Sequence, residues 1–207
     1  MAERRDSMVV VAVDTSTDML ACGVGRVTGA PEGGLEMLSS GDHLCRRHAN
    51  VELVNTVDAA LKGAALTIDD VDALLVGRGP GSFTGVRIGI STAKGMARGA
   101  DLPLFGVSTL DATAWTAWRA GTRGLLGVAA DAMRGEVYPA VYRLDDAGAH
   151  RLFDRERVVK AAVAVAEWGE RPDAAELQLT GDGLVRHGAL FEGAGLMGRA
   201  LDRALWW

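Results

Sequence analysis

Residues 77 to 89 read Gly77-Arg78-Gly79-Pro80-Gly81-Ser82-Phe83-Thr84-Gly85-Val86-Arg87-Ile88-Gly89, and the organisation of the chain follows from this stretch. An apolar run at residues 72–76 precedes it, short enough for a buried strand and closed by the glycines. Residues 84–98 follow with helical character, so the stretch is a strand-to-helix turn. Exposed N–H groups at such a helix start are a natural anion site. The spacing is not that of a P-loop, because Gly-Lys-Ser/Thr is missing and no lysine stands where the β- and γ-phosphates would sit. It is not Gly-x-Gly-x-x-Gly either. From these residues alone, a tight structural turn and a phosphate cradle both stay open.

The helix that follows carries a narrow polar stripe, Arg87, Ser91, Lys94 and Arg98, at spacings of four, three and four. Its other positions are small or apolar: Gly85, Val86, Ile88, Gly89, Ile90, Ala93, Gly95, Met96 and Ala97. A helix that covers only its own sheet exposes about half its surface, so this one is expected to be covered on two sides. Either its own fold buries it, or its second side meets another chain. The series Gly85, Gly89, Ala93, Ala97 would let a neighbouring backbone come close. Upstream, residues 48–65 read as an amphipathic helix. Val51, Leu53, Val54, Val57, Ala60 and Leu61 fall on one broad side, and Glu52, Asn55, Asp58 and Lys62 on the other.

Further out, residues 8–13 form an apolar run ended by Asp14-Thr15-Ser16-Thr17-Asp18, and residues 20–27 return as a second strand. A loop at residues 29–34 leads to a third, Leu35–Ser40. Beyond the second helix, Leu104–Val107 reads as a strand, and Ser108 or Thr109 can cap a third helix carrying Leu110, Trp115 and Trp118. From residue 125 the opening pattern returns. Residues 125–130 are apolar, Asp131 ends them, residues 136–143 run back, and residues 177–180 lead into Gly181-Asp182-Gly183. This predicts a two-lobed α/β protein with a duplicated plan: a frayed terminus at 1–7, an N-terminal lobe at 8–108, and a C-terminal lobe at 109–207 that is short at its end. The turns at Asp14, Thr15 and Ser16 and at Asp131 would then face a cleft and could hold a phosphate, although such residues also suit any hairpin.

The 207 residues are 48 % apolar and 24 % charged, values of an ordinary globular protein. Twenty-two Lys and Arg against 27 Asp and Glu leave a net charge of −5. The basic residues come as scattered pairs such as Arg4–Arg5 and Arg46–Arg47, so the chain is a poor candidate for a nucleic-acid-binding surface. Cys22 and Cys45 are expected to pack as small apolar side chains. No secretory signal fits the first apolar run, and the expected address is the cytoplasm. His43 and His48, five apart, would converge only in a loop and have no third ligand close in sequence, so no metal site is expected. No Ser–His–Asp set, His-Glu-x-x-His or paired-cysteine motif occurs, which favours a role without catalysis.

The run Arg78-Gly79-Pro80-Gly81-Ser82-Phe83-Thr84-Gly85-x-Arg87-Ile88-Gly89, continued by Ser91-Thr92-Ala93-Lys94-Gly95, closely resembles the signature of the bacterial TsaB family. Asp14-Thr15-Ser16-Thr17, Gly106-Val107-Ser108-Thr109-Leu110, Asp131 with Gly135-Glu136-Val137-Tyr138, and Gly181-Asp182-Gly183 extend the resemblance over residues 8 to 185. Met133 departs from the Asp-Ala-Arg that relatives tend to carry after the first strand of the second lobe. The resemblance implies an actin-like/Hsp70-like (ASKHA) fold with mixed-sheet-plus-helices lobes, the second shortened. It implies a non-catalytic subunit that binds and activates a catalytic paralogue, TsaD, together with the ATPase TsaE, in transferring threonylcarbamoyl to tRNA position 37. No catalytic residue, metal or cofactor of its own is expected; ATP is used by the complex, and tRNA is met only through it. The contact with TsaD, or with a second copy of the chain, is expected on Val51, Val54, Asp58, Gly85, Ile88, Gly89, Thr92, Ala93 and Met96. Asp14, Thr15, Ser16, Asp131 and Asp182 are expected to mark vestigial phosphate loops. A nucleotide-binding kinase or transferase of the same fold is the alternative.

Overall fold

The computed structural model describes residues 7–29, 34–45, 49–152 and 156–206. The predicted loop at 29–34, Arg46–Arg47, His48 and most of the predicted frayed terminus lie outside those residues, wholly or in part. Two compact units form: Met1–Arg78 with Phe83–Val107, and Gly79–Ser82 with Ser108–Trp207.

The first unit runs β1 (Ser7–Asp14), β2 (Met19–Thr28), β3 (Leu35–Ser40), β4 (His43–Leu44), α1 (Ala49–Gly63), β5 (Ala73–Gly77), α2 (Phe83–Ala100) and β6 (Leu104–Val107). Its sheet has the order β3-β2-β1-β5-β6, with β4 added on β2. β1 pairs antiparallel with β2, Val11 opposite Val24, and parallel with β5, Val11 beside Leu74. β6 continues in parallel, Val76 beside Gly106. Parallel neighbours need a crossover, and α1 and α2 supply it. Val11 and Val13 of β1 point into one core with Leu20, Val24, Leu74 and Val76. Residues between them on β1 are less buried, as expected of a strand with one covered face.

α1 closes that core with Leu53, Val57, Ala60 and Leu61, each at most 6 % exposed. Burying a Leu or Val fully is worth about 1.5–3 kcal/mol, which fixes this edge of the helix inward. The broad apolar side predicted for α1 is therefore split. Val51 and Val54, outside that edge, remain 65 % and 56 % exposed.

The second unit repeats the plan with α3 (Thr109–Arg119), β7 (Gly124–Asp131), β8 (Glu136–Asp145), β9 (Gly148–Arg151), β10 (Val159–Lys160), α4 (Ala161–Gly169), β11 (Gln178–Thr180) and α5 (Gly183–Gly193). β7 pairs antiparallel with β8 and parallel with β11; β9 and β10 both pair with β8. The continuous apolar run of β7 is covered on both faces. Leu125 and Ala129 meet α4 and α5 through Trp168, Leu184 and Phe191, while Leu126, Val128 and Ala130 meet Leu110, Ala114 and Ala117 of α3. The place that β6 takes beside β5 is here reduced to one parallel bridge, Leu179 beside Ala200. The α/β class with duplicated mixed sheets, the second one shortened, is thus the observed architecture. Ser108 does precede α3, but its hydroxyl meets Glu156 Oε1 at 3.2 Å instead of capping the helix. No described helix is long and apolar enough to cross a membrane.

Candidate functional site

In the first unit the ends of β1 and β5 and the start of α2 meet at the Asp14-Thr15-Ser16 turn. Ser16 donates both its N–H (2.7 Å) and its hydroxyl (2.5 Å) to Asp14 Oδ1. Thr15, 3 % exposed, donates its hydroxyl to the Gly85 carbonyl at 2.7 Å. The Asp14 carboxylate lies so close over Gly77 that a Cβ there would overlap it, and a Cβ at Gly89 would stand 2.5 Å from Thr15 Oγ1. The glycines of the signature therefore serve close approach between the turn, β5 and α2. The Ser16 donors that a phosphate would need are already given to the chain's own carboxylate.

The signature divides between the units. Arg78 donates its N–H to Val107 O at 2.9 Å within the first unit. Gly79–Ser82 group with the second, where Gly79 O accepts the Thr109 N–H at 2.9 Å. The Gly79–Pro80 peptide is cis. Phe83 is 75 % exposed, with the Arg87 guanidinium 5.2 Å from its ring centre, and Thr84 is exposed beside them.

In the second unit Asp131 ends β7 and its side chain is 6 % exposed. Arg186 Nε lies 2.8 Å from Oδ2, His187 Nε2 lies 3.3 Å from Oδ1, and the Met133 N–H donates to Oδ1 at 3.2 Å. Asp182 Oδ1 accepts the Asp131 N–H at 2.8 Å and so ties the start of α5 to the end of β7. Met133 and Arg134 both take left-handed backbone angles, φ 64° and 52°, which closes the β7–β8 turn. Asp131 is thus held by α5 as well as by the β7–β8 turn. Arg186 and His187, which hold it, were missed because α5 itself was not predicted.

The residues expected at a partner interface separate into two groups. Gly85, Gly89, Ala93 and Ala97 are the buried edge of α2, laid against its own sheet; Ala93 is 1 % exposed and belongs to the core of the first unit. Gly85, Gly89 and Ala93 face their own sheet and so cannot be the docking seam; any second cover on α2 would lie over its other side, at Ile88 and Thr92. The small residues bring its backbone down onto the Thr15 turn. Met96 also packs against that core. Val51, Val54 and Asp58 face outward on α1, with Asp58 2.6 Å from Lys62. Beside them Asn50, Thr84, Arg87, Ile88, Ser91 and Thr92 line an open hollow of about 390 Å³.

His43 also differs from its expectation. Its partners are Glu52, with Nε2 2.6 Å from Oε2, and next to both Cys45, whose Sγ is 3.2 Å from Glu52 Oε2. The expected neighbour His48 lies outside the described residues. Cys22, 2 % exposed, is a packed thiol as expected; burial, then the Asp42 carboxylate, push it from 9.0 up to about 11.

A family model described as "TsaD: tRNA N6-adenosine threonylcarbamoyltransferase" matches residues 43–178. The Escherichia coli (strain K12) tRNA threonylcarbamoyladenosine biosynthesis protein TsaB is 38 % identical over 156 residues, covering 75 % of this chain and 64 % of that protein. Its Haemophilus influenzae counterpart is 37 % identical over 132 residues, covering 64 % of this chain and 52 % of that protein. The chain thus spans between about half and two thirds of these curated relatives' lengths. The solved structure of YeaZ from Pseudomonas aeruginosa superposes with a TM-score of 0.71 at 29 % identity, over 96 % of this chain and 85 % of that one. The signature turn, the duplicated sheets and these likenesses agree: the chain belongs to the TsaB family, within the reach of the model that describes TsaD.

Proposed function

We propose that this chain is a non-catalytic subunit of the machinery that forms threonylcarbamoyladenosine in tRNA, and that it docks a catalytic paralogue of the TsaD type through the outer face of α1 and α2. The observation that carries this reading is the exposure of Val51 and Val54 beside the hollow at Ile88 and Thr92. Two large apolar side chains held out on a rigid helix next to a concave polar rim are what a protein interface requires. The internal ties of Asp14 to Ser16, and of Asp131 to Arg186 and His187, support the second half of the reading: the Ser16 donors and the Asp131 carboxylate are engaged within the chain. ATP is then consumed by a partner ATPase of the TsaE type, and tRNA is held by the assembly. The test is threonylcarbamoyl transfer to tRNA by purified TsaD and TsaE, with and without this chain. Transfer that depends on the chain, with no ATP turnover by the chain alone, supports the proposal. Transfer unchanged by its omission refutes it.

A further inference from the structure

We infer that His43, Cys45 and Glu52 form a site for a zinc-class divalent transition ion, with imidazole nitrogen, thiolate sulfur and carboxylate oxygen as its three protein ligands. The ligand atoms all lie within 4.8 Å of one another. Glu52 Oε2 is central, 2.6 Å from His43 Nε2 and 3.2 Å from Cys45 Sγ. In a tetrahedral site with bonds of about 2.0–2.3 Å the ligand atoms stand about 3.3–3.7 Å apart, so Glu52 needs to part from His43 and Cys45 by less than ~1 Å to admit an ion.

Rigid elements hold the set. His43 and Cys45 are two apart along an extended segment and therefore share a face. That segment is pinned by the pairing of Leu20 with His43 and Met19 with Leu44, and by the Cys45 N–H donated to Asp18 O at 2.9 Å. Glu52 sits in the first turn of α1, next to Leu53, which is anchored in the core. The His43 and Glu52 side chains are each 41 % exposed, which gives an ion a route in, while Cys45 is 6 % exposed. Mixed sulfur, nitrogen and oxygen donors suit Zn²⁺ or Co²⁺; Mg²⁺ and Ca²⁺ demand oxygen alone. On binding, the Cys45 thiol releases its proton to solvent as the metal–sulfur bond forms, so affinity falls in acid. The ion would fasten β4 to the start of α1, the helix that presents Val51 and Val54.

The experiment is a Co²⁺ titration of the purified chain, kept reduced with a phosphine. The expected result is a thiolate-to-cobalt charge-transfer band that saturates at one equivalent and is bleached by Zn²⁺. Cys45→Ser should remove the band, and Cys22→Ala should leave it. His43→Gln and Glu52→Gln, at half-exposed positions that do not threaten the fold, should each weaken binding by more than the ~10–100-fold that loss of an outer-shell partner costs. Absence of the band, its survival in Cys45→Ser, or unchanged affinity in both exposed variants overturns the assignment. The readout is independent of tRNA modification, so it stands or falls apart from the proposed function.

Discussion

Alanine at position 89 should destabilise the chain in one background and stabilise it in another. In the native sequence its methyl group would stand 2.5 Å from Thr15 Oγ1. Thr15 is buried, and its hydroxyl donates to Gly85 O at 2.7 Å, so it cannot turn aside without giving up that bond. Either the clash remains, at about 1–3 kcal/mol for an overpacked core, or the buried hydrogen bond is lost at a similar cost. Helix propensity returns at most about 1 kcal/mol for replacing glycine inside α2. Gly89→Ala should therefore cost about 1–2 kcal/mol net, a thermal shift of roughly 2–8 °C at this size. In a Thr15→Ala background the obstacle is gone, and the next atom, Val76 Cγ2, is 3.8 Å away. There the same substitution should stabilise by about 0.5–1 kcal/mol, the propensity gain alone. Urea unfolding of the four chains gives the coupling, expected near 2 kcal/mol, well above the ~0.5 kcal/mol scatter of independent sites. If Gly89→Ala is neutral or stabilising in both backgrounds, the small-residue edge of α2 does not face its own sheet and the packing argued above is wrong.

Asp131→Ala should cost about 3 kcal/mol, the low end for breaking a buried ion pair because Arg186 is half-exposed; thermal unfolding measures it. Cys22 titrates near 11 in the fold against 9.0 outside it, so its contribution is full below pH 9 and is lost as pH rises from there towards 11. Cys22→Ala should flatten that part of the alkaline stability curve. The Arg157 guanidinium holds Glu167 below the ordinary glutamate range, first by hydrogen bonding and then by charge. That stabilisation is present above the ordinary range and lost as pH falls through the lowered value, so Glu167→Gln should shallow the acid limb of the same curve.

Much of the fold was legible because its strands declare themselves one at a time. The apolar runs of β1 and β7 need no knowledge of neighbours, and Leu35–Ser40 and Leu104–Val107 appear with the predicted limits. β4, with two residues, and β10, with two, exist only through their pairing to β2 and β8, which no local propensity encodes. α2 shows the limit of periodicity most clearly. Spacing groups Gly85, Gly89, Ala93 and Ala97 on one edge, but it cannot say whether a sheet or a partner lies against that edge. The same limit split α1, where Leu53 and Val54 are sequence neighbours with opposite fates. His43, Cys45 and Glu52 were hidden for another reason. Their convergence depends on residues 43–45 being extended and on α1 turning its first residues back towards them. A strand reading of residues 43–45 would have exposed half of it.

The outer face of α1 and α2 as the docking surface is tested most directly by the affinity of TsaD for this chain, in the native form and as the Val51→Lys/Val54→Lys double variant. Both positions are largely exposed, so the double variant should unfold within about 0.5 kcal/mol per site of the native chain. The predicted result is measurable binding by the native chain and a loss of at least about 100-fold, some 2.7 kcal/mol, in the variant at unchanged thermal midpoint. Equal affinity for the two chains would place the contact elsewhere and contradict the account.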